Sequence, residues 1–209
     1  MNKMKIEILV LGPVQTNCYL IQNCETKEIL VVDPADRESR IRQKAEEMGG
    51  QIRAILLTHG HFDHITAVEG LRRETEAPVY AFKEEAILLA DTEYNLSAGW
   101  ASPVSLRADV LVGDKEELSL AGFRIQVIHT PGHTAGSCCY YFPEEGALMS
   151  GDTLFAMSVG RTDLPTASGA AMERSIKNLL QELPGETKVF PGHGEETTIS
   201  YEKRYNPFA

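Results

Sequence analysis

Thr58-His59-Gly60-His61-Phe62-Asp63-His64 places three imidazoles and a carboxylate in one short loop directly after the apolar run Ile52 to Leu57. That run is brief, aliphatic and followed by a glycine-bearing turn, so it reads as a buried strand that ends in a loop. His59 and His61, two apart in extended backbone, point to the same side and can grip one ion. Asp63 and His64 lie where the chain bends into the next helix and offer donors to a second, adjacent ion. Six histidines in 209 residues is an ordinary number, but half of them fall in this loop. Such clustering is a metal signature that an apolar core does not need.

Outward from this loop the chain alternates strand and helix signals. Residues 4–11, 17–22 and 28–32 read as a β-meander broken at Gly12-Pro13, Asp36 to Met48 as a helix stopped by Gly49-Gly50, Ile65 to Glu74 as a helix, Val79 to Phe82 as a strand and Lys83 to Ala90 as a helix. The stretch from Asp91 to Ala108 has no clear period, and a loop this long is either a wall of the functional site or a plain surface excursion. Strands are predicted at 110–112, 117–120, 123–128, 137–142 and 147–150, with Ala121-Gly122 a hairpin turn. An amphipathic helix over 170–183 and a last strand at 188–190 complete the pattern. Each strand of interest ends in a potential ligand: His129 and His133 in His-Thr-Pro-Gly-His-Thr, Asp152 in Gly-Asp-Thr and His193 in Pro-Gly-His-Gly. The pattern predicts one α/β domain over residues 1–209, with two sheets face to face, helices outside and one cleft across the strand ends.

Composition narrows the function classes. Hydrophobic residues at 43% and charged residues at 24% match a soluble globular protein. No apolar run approaches the ~18 residues needed to span a bilayer. The amino terminus, Met-Asn-Lys-Met-Lys-Ile-Glu-Ile-Leu-Val, reads as a strand rather than a signal peptide because Glu7 interrupts it and no small-residue cleavage site follows. A net charge of −10 without a basic stripe disfavours nucleic acid. Cys18, Cys24, Cys138 and Cys139 have neither zinc-ribbon spacing nor the density of a disulfide scaffold, which fits a reducing cytoplasm. Cys138 and Cys139 are expected on opposite faces of one strand, as small buried hydrophobes.

The donors His59, His61, Asp63, His64, His133, Asp152 and His193 are too many for one tetrahedral zinc and suit two divalent metals sharing a bridging carboxylate. Imidazoles with hard carboxylates favour zinc and admit iron or manganese. Asp63, the only carboxylate of the first loop, is the candidate catalytic residue. It either ligates and orients the nucleophilic water or merely caps the helix that starts near His64.

Thr-His-Gly-His-Phe-Asp-His, His-Thr-Pro-Gly-His-Thr, Gly-Asp-Thr-Leu-Phe and Pro-Gly-His-Gly, in this order, resemble the metallo-β-lactamase-fold hydrolases, and Asp33-Pro34 after a strand matches them too. The resemblance covers nearly the whole chain. It is closest to the short, glyoxalase II-like members, through Gly160-Arg161-Thr162-Asp163-Leu164-Pro165 and Asn206-Pro207-Phe208. It implies a four-layer αββα sandwich, one metal at His59, His61 and His133, a second at Asp63, His64 and His193, and Asp152 between them. It further implies hydrolysis of a small, anionic thioester resembling S-lactoylglutathione by a hydroxide bridging the metals. Glyoxalase II proper has a helical carboxy-terminal domain that helps hold glutathione, which the short stretch after His193 does not supply. Where that enzyme has a Lys near glutathione this chain has Arg161, which is placed to contact substrate or to pair with Asp163 and brace its loop. His129 is expected to support the site or the core by a hydrogen bond. An iron persulfide dioxygenase, whose relatives share the His-x-His-x-Asp-His-Ile-Thr pattern, and a non-enzymatic metal-binding module are the competing functions.

Overall fold

Successive side chains along each strand point to opposite faces, as the pleat dictates, and this sorts them into three apolar layers. A computed structural model of the chain describes residues 3–100 and 102–209. Met1 and Asn2, at the start of the expected first strand, and Ala101, in the expected long loop, lie outside them. Strands β1 (Met4–Leu11), β2 (Thr16–Asn23), β3 (Glu28–Val32), β4 (Gln51–Leu56), β5 (Val79–Phe82) and β6 (Val110–Val112) form one sheet in sequence order. The first three are antiparallel neighbours, and from β3 onward the pairing is parallel. Strands β7 (Glu117–Leu120), β8 (Phe123–His129), β9 (Cys138–Phe142) and β10 (Ala147–Gly151) begin the second sheet. A two-stranded ribbon of β11 (Leu154–Phe155) and β12 (Ser158–Val159) follows. Strand β13 (Lys188–Pro191) then returns parallel to β10, and β14 (Thr197–Thr198) closes the edge.

Between the sheets lies a core of Tyr19, Leu30, Val32, Ala54, Leu56 and Phe82 from one face and Phe123, Ile125, Val127, Cys138, Tyr140 and Phe142 from the other. The alternate residues of the same strands face outward. Ile29, Val31 and Ile55 pack on helices α1 (Glu38–Glu47) and α3 (Val68–Thr75) through Ile41, Ala45, Val68 and Leu71. Cys139 and Leu148 pack on helix α5 (Gly169–Glu182) through Met172, Ile176 and Leu180. These are the four expected layers, helix, sheet, sheet, helix, and Cys138 and Cys139 do face opposite sides of β9.

Two boundaries follow from local chemistry. Helix α1 ends as predicted, because Gly49 takes φ +65 and the Gly50 amide bonds back to the Ala45 carbonyl, closing the helix end. The helix expected over 65–74 is instead two pieces, α2 (Phe62–Ile65) and α3. The Ala67 amide leaves the helical ladder to bond the Pro34 carbonyl at 3.0 Å, which breaks the run. The stretch 83–90 likewise begins as a 3-10 turn, Lys83–Glu85, before helix α4 (Ala86–Ala90). Helix α6 (Ile199–Tyr205), near the carboxy end, was not among the predicted elements. Among the described residues no helix is long and apolar enough to cross a membrane.

Candidate metal centre

All the predicted donors sit just beyond the carboxyl ends of strands and meet in one place. His59, His61, Asp63 and His64 follow β4, His133 follows β8, Asp152 follows β10 and His193 follows β13. His61 Nδ1 stands 2.8 Å from His133 Nε2, and the ring centroid of His59 lies 4.9 Å from that of His61 and 4.8 Å from that of His133. On the other side, His64 Nε2 is 3.5 Å from Asp63 Oδ2, and His193 Nε2 is 3.3 Å from the same oxygen. Asp152 lies between the two sets: its Oδ1 is 3.4 Å from His64 Nε2, and its Oδ2 is 3.5 Å from His133 Nε2 and 3.6 Å from His193 Nε2. Donors held at roughly 2.0–2.1 Å by a tetrahedral ion are themselves about 3.4 Å apart, so this spacing is that of a ligand shell.

The partners of the other ring nitrogens aim the lone pairs inward. The His133 Nδ1–H donates to the Arg161 carbonyl at 2.9 Å, and the His64 Nδ1–H donates to Asp33 Oδ2 at 2.9 Å. Thr58 Oγ1 donates to the same Asp33 oxygen at 2.6 Å and so accepts from His59 Nδ1 at 3.2 Å. Each of these rings therefore turns its Nε2 to the cleft. The Nε2 atoms of His59 and His64 and Oδ1 of Asp152 are buried with no hydrogen-bond partner. Buried acceptors left unpaired at one point are costly unless a cation takes them. Among the described residues, three sets of donors are close enough to hold an ion: His59, His61 and His133; Asp63, His64 and His193; and Asp33, His59 and His64. The third is spent on hydrogen bonds, since Asp33 already accepts from Thr58 and His64.

Electrostatics separates the histidines. Burial and the neighbouring imidazoles push His59 well below the ordinary histidine range and His61 down to about 3. Burial acts in the same direction on His64, but Asp63, Asp152 and Asp33 outweigh it and lift that ring to about 10. Asp63 is also buried, yet His64, His193 and the Thr16 hydroxyl hold its carboxyl well below the usual carboxylate range. Thr16 Oγ1 donates to Asp63 Oδ2 at 2.8 Å. The N-cap position of α2 is His61, with no side-chain cap bond, and Asp63 turns its carboxylate into the cleft. The helix-cap reading of Asp63 is thus not what the structure shows.

Several supporting residues escape sequence reasoning. Asp33 has a legible signal, an Asp-Pro after a strand, but its partners do not. Glu85 has none, because Lys83-Glu84-Glu85 reads as a solvated stretch. It is 1% exposed, and it joins the two histidine loops by accepting from the amides of Gly60 (2.8 Å) and Gly136 (2.9 Å) and from the Thr134 hydroxyl (3.0 Å). Burial lifts its carboxyl to about 7, against the pull of those donors. Asn17 and Tyr19 anchor the His193 loop: the Tyr19 hydroxyl donates to the Pro191 carbonyl at 2.6 Å, and Asn17 Nδ2 to the Pro191 and Gly194 carbonyls, each at 3.0 Å. At Gly192 a Cβ would collide with Asp152 Oδ1 and the His64 ring, so only glycine lets the loop pass. His129 stacks on Phe82, centroids 4.1 Å apart, and its Nε2 bonds the Ala135 carbonyl, the supporting role expected of it. Arg161 lies at the rim with its guanidinium paired to Asp163 at 2.6 and 2.8 Å.

A family model described as the metallo-beta-lactamase superfamily matches residues 11–193. The chain belongs to this superfamily. It is 33% identical over 211 residues to the hydroxyacylglutathione hydrolase GloC of Haemophilus influenzae, covering 98% of each chain. The solved structure of the BLEG-1 B3 metallo-beta-lactamase superposes with a TM-score of 0.92 at 39% identity, over 98% of this chain and 99% of that one. The structure of TTHA1623 in a di-iron-bound form superposes with a TM-score of 0.87 at 38% identity, over 97% and 100%. Fold and chemistry agree: this member of the metallo-beta-lactamase superfamily is a metal-dependent hydrolase whose His and Asp clusters suit divalent ions.

Proposed function

We propose that the protein hydrolyses small thioesters with two divalent metals, zinc favoured, one held by His59, His61 and His133, the other by Asp63, His64 and His193, with Asp152 shared. The convergence of these donors from four strand-end loops, at ligand-shell spacing, carries the reading. The name of the GloC relative supports the thioester class. When bound, such ions supply a nucleophile at neutral pH by lowering the pKa of water to roughly 7, and they polarise a carbonyl. The carboxyl of Asp63 is held well below the usual carboxylate range and the Thr16 hydroxyl fixes one of its oxygens, so the carboxylate is poised to orient the attacking water and accept its proton. Asp33 and the Arg161 carbonyl keep His64 and His133 in the tautomer that ligation requires. Among the described residues no side chain in the cleft is arranged as a general acid, and none is needed: a thiol of pKa near 8.5 departs as its anion.

Beside Arg161 a cavity of about 580 Å³ is lined by Gly160, Met172, Lys177 and Phe208. Solvent screens an exposed ion pair such as Arg161–Asp163, so the guanidinium is free to turn to a carboxylate on the thiol half of a substrate. The test is thiol release from S-lactoylglutathione and simple acyl thioesters by the metal-loaded protein, followed with a thiol reagent. Steady release that a chelator abolishes is expected. Failure on every thioester, with oxygen uptake on a persulfide by the iron-loaded protein, would assign the dioxygenase instead.

A further inference from the structure

The stretch expected to be either a wall or an excursion leans on the metal centre through Trp100. The indole stacks on Phe62, centroids 4.5 Å apart and planes 26° apart, and Phe62 stands between His61 and Asp63. The contact is held from below. The Phe62 amide donates to the Asn95 carbonyl at 2.8 Å, and the buried Asn95 side chain donates to the Val104 carbonyl at 2.8 Å. Trp100 is nevertheless 44% exposed, a large aromatic surface at the edge of a cleft. Together with Gly12, Pro13 and Ala35 it lines a cavity of about 230 Å³ whose wall includes Asp63. Pockets for whole ligands run to roughly 300–1,000 Å³, so this one takes part of a molecule, next to the carboxylate proposed to aim the water.

Apart from the exposed Ser102, the hydroxyls of the wall are already committed. Ser97 Oγ donates to the Val104 carbonyl at 3.1 Å and accepts from the Val104 amide at 2.9 Å. Thr66 Oγ1 donates to the Phe62 carbonyl at 2.6 Å, and Asp36 Oδ1 accepts from the Arg37 amide at 2.7 Å. The two charged groups in the wall, Asp36 and Asp63, are both acidic and repel an anionic substituent. We infer that this pocket receives the acyl half of the substrate, and that Trp100 and Phe62 select an uncharged, apolar acyl chain over a hydroxylated or charged one. The inference rests on the thioesterase reading and sharpens it, because it sets the preferred acyl class apart from the hydroxyacyl group of the GloC relative's name.

Trp100 is the only tryptophan of the chain, so its fluorescence reports on this pocket directly. Titration of the metal-loaded protein with hexanoate, an acyl product, is expected to shift the emission to the blue, while acetate and lactate at equal concentration leave it in place. With thioesters of one common thiol, kcat/KM for hexanoyl should exceed that for acetyl and for lactoyl by at least ~10-fold, the scale of one buried methylene. In Trp100→Ala that ratio should fall to within ~3-fold, and Trp100→Phe should restore most of it. Equal emission responses to hexanoate and acetate, or an acyl ratio unchanged in Trp100→Ala, would overturn the assignment. If no thioester is hydrolysed at all, the thioesterase reading fails by itself, and the fluorescence titration still decides whether the pocket takes an apolar acyl chain.

Discussion

Asp63→Asn is expected to lower the thioesterase rate by at least ~10²-fold while leaving the circular dichroism spectrum that of the parent, in line with the loss of a general base. Asn keeps the size and one acceptor oxygen, so Thr16 still has a partner. What is lost is the charge, which the cationic neighbours His64 and His193 hold in the folded protein. In the proposed centre both the second ion and the water beside it depend on that charge. Near-normal turnover in Asp63→Asn would remove Asp63 from the mechanism.

Chelation is expected to lower the melting temperature on the order of 10 °C for each ion otherwise present at a thousandfold its Kd, since a ligand that binds only the native state stabilises it by about 4 kcal/mol at that excess. The metal-free protein should also have a narrower pH range. His59 and His61 have depressed folded pKa values, so they favour the fold above pH 6.5 and cease to as the pH falls, for His61 through about 3. His64 is raised to about 10, so its contribution is full below pH 6.5 and is lost as the pH rises towards 10. The metal-free melting temperature should therefore peak near pH 6.5 and fall on both sides. The metal-loaded protein should keep its stability above pH 6.5, because a cation then replaces the His64 proton. Superimposable melting curves with and without metal, after verified removal, would count against ligands that tie the two sheets together.

The strand ends carry most of what was legible. Turn residues frame β5 and β7 so closely that both run as predicted, Val79–Phe82 and Glu117–Leu120. The candidate donors stood out because imidazoles and carboxylates cluster beside glycine at those ends, where a core has no use for them. What failed was set by distant partners or by length. The helix expected over 65–74 breaks because Pro34, far back in the chain, takes the Ala67 amide. Ribbon strands of two residues, such as β11 and β14, leave no period to read. Thr16 reaches Asp63 across the fold, and Glu85 is buried by packing that its charged neighbours do not announce. Trp100 lies in the stretch without a clear period, and only the placement of Phe62 gives it a role.

In the proposed dinuclear centre, donors from four loops hold two ions in one cleft. Elemental analysis of metal-replete protein, with the His193→Ala variant measured beside it, tests this most directly. The expected result is two ions per chain in the parent and close to one in the variant, the His59, His61 and His133 site remaining filled. One ion per chain in both proteins would contradict it.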